Sequence, residues 1–74
     1  MDNDILSVTI DELIQKTWKM VNEKGENIEE LVEIFNELTS CRQEIDTFET
    51  EQEYIRIEKR VRNCDYKIMK MRTK

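Results

Sequence analysis

The sequence predicts an all-α protein, and three observations carry this prediction. The 74-residue chain has no Pro and only one Gly, and 39% of its residues are charged, a composition that favours long helices over turns and strands. Apolar residues recur at intervals of three and four, which places their side chains on one face of an α-helix. Thr or Asn precedes Glu by three residues at three places, as at helix starts. We expect one small helical domain, residues 1–74.

The first helix is predicted over residues 10–23, after a partly ordered lead-in of residues 1–8. Thr9 and Glu12 form a capping box, in which each side chain accepts a hydrogen bond from a free backbone N–H group of the other residue. The apolar face comprises Ile10, Leu13, Ile14 and Val21, with Trp18 and Met20 at its two margins. Gly25 is predicted to end the helix, because glycine adopts the left-handed conformation at little cost.

A second helix is predicted over residues 28–46. Asn27 and Glu30 form its capping box, and its early glutamates suit the positive end of the helix dipole. Its main apolar positions are Ile28, Leu31, Phe35, Leu38 and Ile45, and Val32, Ile34, Cys41 and Phe48 broaden the stripe. The short loop around Gly25 makes the first two helices antiparallel neighbours.

The third helix, residues 51–72, has the most regular pattern and begins with a capping box at Thr50 and Glu53. Its apolar stripe comprises Tyr54, Ile57, Val61, Cys64, Ile68 and Met71. If the second and third helices were continuous, their stripes would point about 110° apart. We therefore favour a turn within residues 47–50 and a three-helix bundle. The alternative is a helical hairpin with an extended C-terminal coiled-coil helix.

The charges are divided between the two parts of the chain. The net charge is −5, yet residues 1–50 hold 13 acids and 4 bases, whereas residues 51–74 hold 4 acids and 8 bases. In the bundle, the basic third helix packs on the acidic second helix. In the extended form, the same complementarity acts between the two chains of a homodimer.

The composition argues against several cellular locations and kinds of chemistry. The chain has no long apolar run and an acidic start, so we expect a cytoplasmic protein with no membrane span or targeting peptide. Cys41 and Cys64 lack the close spacing of a metal site and are predicted to be free, buried thiols. Without His or a Gly-rich phosphate loop, the common catalytic sets are missing, and we expect no enzyme, metal or cofactor. Abundant Ile, Asn, Lys and Glu without Ala are typical of AT-rich coding, as in a low-GC bacterium or phage.

Residues outside the main apolar stripes form the candidate partner-binding site. They comprise the apolar Trp18, Met20, Tyr66 and Met69 and the basic Arg56, Lys59, Arg60, Arg62, Lys67 and Lys70. This combination predicts a small non-enzymatic regulator or inhibitor that binds another protein through amphipathic helices. Nucleic-acid binding is the alternative, in which these Lys and Arg side chains contact phosphates and a tyrosine stacks on a nucleobase. The acidic pI of about 4.7 favours a protein partner.

A helix that ends at Gly25 is followed by one that contains the segment FNELT, Phe35 to Thr39. Over residues 10–48, this arrangement resembles the small helical-hairpin aspartyl-phosphate phosphatases of the sporulation phosphorelay in spore-forming bacteria. That family has a Ser-Gln-Glu-Leu-Asp signature at a similar distance from its glycine. Glu37 and Leu38 match it, whereas its Ser and Asp are replaced here. The resemblance implies a hairpin that binds a signalling protein, and a response-regulator phosphatase that uses Glu37 is a further alternative function.

Overall fold

Three α-helices make up the fold in the computed structural model, which describes residues 3–24 and 27–72. The helices are α1 (Asn3–Lys24), α2 (Ile28–Ile45) and α3 (Glu51–Arg72), and these described residues contain no strand. They form a bundle with extents of 38 × 18 × 17 Å. The predicted all-α class is confirmed. Of the two predicted arrangements, the protein adopts the three-helix bundle, because the chain turns between α2 and α3.

The core is built from one stripe of each helix, and α2 packs against both of its neighbours. Its buried apolar residues are Leu6, Ile10, Leu13 and Met20 of α1, Leu31, Ile34, Leu38, Cys41 and Ile45 of α2, and Ile57, Val61, Cys64 and Ile68 of α3. Tyr54 and Met71, the two ends of the predicted α3 stripe, pack partly buried against this core. The one buried polar side chain among the described residues, Thr17, donates to the carbonyl of Leu13 at 2.7 Å, which satisfies its hydroxyl.

The first helix is longer than predicted. It begins at Asn3, so the predicted start at Ile10 is wrong, and the residues from Asn3 onward in the predicted lead-in are helical. Thr9 is not a cap, since its Oγ1 donates to the carbonyl of Ile5 at 2.9 Å inside the helix. Leu6, one turn before Ile10, is buried in the core, and its burial favours the additional helical turns. Residues 1–2 lie outside the described residues.

The start of α2 differs from a capping box. Asn27 has φ 55°, in the left-handed region, and its side chain makes no capping hydrogen bond, so the predicted pairing with Glu30 is wrong. A capping side chain normally belongs to a residue with extended backbone, whereas Asn is one of the few residues that tolerates the left-handed conformation. The Asn27 carbonyl still accepts the first helical hydrogen bond, from the N–H of Leu31 at 3.0 Å. The predicted stop at Gly25 lies outside the described residues.

The start of α3 confirms Thr50 as the third predicted cap, but the Glu53 side chain bonds the N–H of Glu49 and not, as a capping box requires, that of Thr50. The N–H of Glu53 donates to Oγ1 of Thr50 at 3.2 Å, and Oε1 of Glu53 accepts from the N–H of Glu49 at 2.9 Å. Just outside the helix, the ring of Phe48 stacks on that of Tyr54, with centroids 5.4 Å apart. These contacts fix the direction in which the chain enters α3.

Thr50→Ala should lower the free energy of unfolding by about 1 kcal/mol, the usual loss when a capping hydroxyl is removed. Urea denaturation followed by circular dichroism measures this change. Thr50→Ser, which keeps the hydroxyl, should retain most of the stability. Thr47→Ala is the matched control, because its hydroxyl makes only long contacts of 3.5 Å at the end of α2. Equal losses for Thr50→Ala and Thr47→Ala would show that the cap contributes nothing specific.

Candidate functional site

Arg60 joins α3 to α2 through two carboxylates. Its Nε donates to Oε2 of Glu37, and a terminal guanidinium nitrogen donates to Oε2 of Glu44 at 2.8 Å. The hydrogen bond from Arg60 lowers the pKa of Glu37, and the hydrogen bonds to Glu37 and Glu44 raise the pKa of Arg60. Arg60 was predicted to contact a partner, but its guanidinium is used inside the bundle. This correction follows from the helix register, which brings Arg60 between two acids of α2.

A second arginine links α1 to α2. Arg42 donates through Nε to Oδ1 of Asp11 at 3.1 Å and through a terminal nitrogen to Asp46 at 3.0 Å. The hydrogen bond to Asp46, more than the contact with Asp11, raises the pKa of Arg42. The two carboxylates are largely exposed and the Arg42 side chain is partly so, so this link contributes little to stability, although it joins α1 to α2.

The α3 outer face is the surface of that helix opposite the buried stripe. We define it by Ile55, Lys59, Arg62, Tyr66, Met69 and Lys70, all exposed. Tyr66 and Met69 are each 57% exposed. Nζ of Lys70 lies 5.5 Å from the centre of the Tyr66 ring, a cation–π contact, and Arg62 donates to Glu58 at 3.3 Å. The face therefore combines large apolar groups with positive charge.

The remaining predicted site residues are divided between surface and core. Arg56 and Lys67 are exposed on the flanks of α3, next to the α3 outer face. Trp18 is 55% exposed, and its ring is tilted against that of Phe35 at a centroid distance of 5.8 Å. Met20 is only 7% exposed and belongs to the core, so its assignment to the partner-binding site is corrected. Its position at the margin of the α1 stripe still faces neighbouring helices in the bundle.

A second exposed apolar surface was not predicted. Ile28 and Val32 are 44% and 42% exposed, and with Trp18 and the half-buried Phe35 they form what we call the α1–α2 face. On α2 these residues lie four and three positions apart, so they share one side of the helix. From the sequence, Ile28, Val32 and Phe35 were predicted to belong to the apolar stripe of α2. The feature of the sequence that could have indicated this surface is the width of the α2 stripe, which has a second apolar row beside Leu31, Leu38 and Ile45.

An open groove of about 470 Å³ separates α1 from α3. Its lining combines apolar side chains with a charged edge: Ile5, Leu6, Thr9, Leu13, Tyr54, Glu58, Val61, Arg62 and Asp65. The ionisable groups of this edge include the Arg62–Glu58 ion pair. The Thr9 hydroxyl donates a hydrogen bond to the Ile5 carbonyl. This groove offers apolar contact and charge.

The two cysteines are core residues. Cys41 and Cys64 are free and buried, as predicted. Burial raises the pKa of Cys41 to about 11 and also raises that of Cys64, so both thiols stay protonated and poorly nucleophilic at neutral pH. Within residues 3–24 and 27–72, no group of three or more Cys, Asp or Glu residues is placed to hold a metal ion. No helix in this part of the chain is long and apolar enough to cross a membrane.

Comparison with protein-family models, curated proteins and solved structures returned no match for this chain. Two surfaces are distinguished by their own chemistry. The α3 outer face is apolar and basic, and the α1–α2 face is apolar and lies on the more acidic pair of helices.

Proposed function

We propose that this protein is a small, cytoplasmic, non-enzymatic regulator that binds an acidic surface of another protein through the α3 outer face. The observation that carries the proposal is the exposure of Tyr66 and Met69 among basic side chains. Aromatic residues, Met and Arg are enriched at protein interfaces. A flexible Met side chain also adapts to irregular apolar grooves.

The exposed groups on α3 are not needed to complete the bundle. Ile57, Val61, Cys64 and Ile68 already supply the buried stripe of this helix. Large apolar side chains on the opposite side gain little burial from folding, and a cluster of them marks a surface that contacts something else.

Charge supports an acidic partner. α3 carries seven bases and four acids, and Arg60 reaches across to two carboxylates of α2. Among the described residues, Arg56, Lys59 and Lys67 form no ion pair. The positive charge of Arg56 and Lys59 is available to steer an acidic surface towards the α3 outer face and to disfavour basic ones, whereas the charge of Lys67 also acts on Glu37 of α2.

The chemistry of Glu37 supports a role without catalysis. Glu37 is the polar residue shared with the phosphatase signature, and Arg60 both bonds it and lowers its pKa. A carboxylate in this state is a weak proton acceptor. Incubation with a phosphorylated response regulator should leave the rate of phosphate loss unchanged, and faster loss would favour the phosphatase alternative.

Affinity capture from a lysate of the source cells tests the proposal. Capture is done at about 0.15 M salt, where the Debye length is about 8 Å and long-range attraction is screened. Wild-type protein should recover one stoichiometric protein partner, with or without nuclease. Tyr66→Ala combined with Met69→Ala should reduce the recovery at least tenfold, since such anchors typically contribute more than 1 kcal/mol each.

Gln52→Ala is the matched control, because Gln52 is exposed on the same helix about 21 Å from Tyr66 along the helix axis. It should recover as much partner as the wild type, and circular dichroism should show equal helicity for all three proteins. Equal recovery by the double variant would refute the role of the α3 outer face. Recovery of nucleic acid, with nothing left after nuclease, would replace the protein partner by the nucleic-acid alternative.

A further inference from the structure

The two exposed apolar faces lie on opposite sides of the bundle. The buried stripe of α3, which includes Val61 and Ile68, points towards α1 and α2, so the α3 outer face points away from both. The α1–α2 face follows the seam where Trp18 meets Phe35. In a three-helix bundle, the outer side of the seam between two helices lies across the core from the third helix.

The two faces are complementary in charge. α1 and α2 together carry nine acids and four bases, whereas α3 carries four acids and seven bases. Beside the α1–α2 face, the exposed Glu29 lies three positions before Val32, within one helical turn. On the α3 outer face, Lys59 follows Ile55 by four positions and Arg62 precedes Tyr66 by four, so bases flank the apolar groups.

We propose that a second copy of this chain covers these faces, with the α3 outer face of one copy packed on the α1–α2 face of the next. Apolar centres then meet apolar centres, and the basic rim of one copy meets the acidic helices of the other. A symmetric contact of α3 with α3 would instead bring Lys59, Arg62 and Lys70 against their own copies, and like charges in contact are unfavourable.

The contact is heterologous and leaves each dimer with one free face of each kind. Because the two faces lie on opposite sides, a single pair of copies cannot use both contacts at once, so further copies add until a ring closes or a filament grows. Self-association also covers the α3 outer face. One consequence rests on the proposed function: self-association and partner binding then exclude each other, and the protein concentration regulates access to the binding site.

Sedimentation velocity of the purified protein alone tests the self-association. From a monomer of 9.0 kDa, the average mass should rise steadily with concentration up to about 1 mM, without a plateau at the dimer. The association constant should fall at least severalfold between about 0.01 M and 0.15 M salt, because the Debye length shortens from about 30 Å to 8 Å.

Two variants distinguish the head-to-tail contact from other modes. Trp18→Ala with Val32→Gln damages the α1–α2 face, and Tyr66→Ala with Met69→Gln damages the α3 outer face. Each variant alone should be monomeric at concentrations where the wild type associates. Their equimolar mixture should form a dimer that grows no further, because one intact face of each kind remains. Ser40→Ala, at an exposed position of α2 off the row that contains Val32 and Phe35, is the control and should associate like the wild type.

Circular dichroism should give equal helicity for all variants. The concentration and salt series uses the wild type alone, so it tests the inference even where a variant does not fold. A wild type that stays monomeric to about 1 mM overturns the inference. A wild type that stops at the dimer, or a mixture that stays monomeric, overturns the head-to-tail arrangement. The sedimentation measurements contain no partner protein, so absence of self-association would leave the proposed function standing. Failure to capture a partner would likewise leave the self-association unaffected.

Discussion

Leu38→Ala should leave the protein largely unfolded at 25 °C. Leu38 lies in the middle of α2 and is 0% exposed, so truncation removes buried apolar area and leaves a cavity within the core. Such substitutions cost about 2–5 kcal/mol. A core of this size usually supplies no more than about 3–5 kcal/mol in total, so the loss approaches the whole stability. Far-UV circular dichroism and urea denaturation measure the remaining helix and its cooperativity.

Val32→Ala is the matched control for Leu38→Ala. It also shortens an aliphatic side chain of α2, but Val32 is 42% exposed on the α1–α2 face. Its free energy of unfolding should change by about 0.5 kcal/mol or less, as for most surface substitutions. A Leu38→Ala protein that unfolds cooperatively with a loss below about 1 kcal/mol would mean that the core is repacked or supported elsewhere.

The elements set by local chemistry were predictable from the sequence. The stripe of α3 follows helical spacing from Tyr54 to Met71, and the pair Thr50 and Glu53 caps the helix that carries it. The turn before Thr50 followed from the changed direction of the stripe. These features depend on side chains a few residues apart, so the pattern along the chain contains the required information.

The errors arose where distant packing decides the outcome. The Thr9–Glu12 motif resembles a cap, yet burial of Leu6 against the core extends α1 through it, and Thr9 forms an internal hydrogen bond instead. Asn27 precedes α2 with a left-handed backbone, whereas a capping residue normally has an extended one. Tertiary contacts outweigh local preferences at such positions, which the sequence pattern does not reveal.

The candidate site divides in the same way. Tyr66 and Met69 lie off the α3 stripe, so their exposure was predictable from the period of that helix alone. The roles of Met20 and Arg60 depend on which part of another helix lies opposite, that is, on the register between helices. Charge asymmetry indicated that α3 pairs with α2, but identifying Arg60 as the pairing residue required the fold.

Arg60→Glu should lower the free energy of unfolding by about 2 kcal/mol. It removes the hydrogen bonds to Glu37 and Glu44 and places a third carboxylate beside them. Charged hydrogen bonds contribute about 1.5–3 kcal/mol when well shielded, and all three side chains here are partly solvated, so a value towards the lower end is expected. Urea denaturation measures the loss. Arg56→Glu, at an exposed base that forms no ion pair among the described residues, is the control and should cost about 0.5 kcal/mol or less.

A charge exchange separates the pairing itself from other effects of the substitution. In the Arg60→Glu background, Glu44→Arg restores one opposite-charge contact across the same seam, so part of the lost stability should return. The double-mutant cycle gives the coupling between positions 44 and 60 directly. Additive losses, with no recovery in the double variant, would mean that Arg60 stabilises the bundle through its aliphatic stem instead.

The same ion pair predicts how stability depends on pH. Hydrogen bonding from Arg60 lowers the pKa of Glu37 in the folded protein below its ordinary value of 4.5. A carboxyl group with a lowered pKa contributes stability that is complete above about 4.5 and is lost as the pH falls through the lowered value. Wild-type protein should therefore lose stability in this acid range more steeply than Arg60→Gln, in which Glu37 lacks its guanidinium partner. Parallel pH profiles for the two proteins would show that Glu37 titrates alike in the folded and unfolded chains, so that Arg60 aligns α2 and α3 without an electrostatic contribution from Glu37.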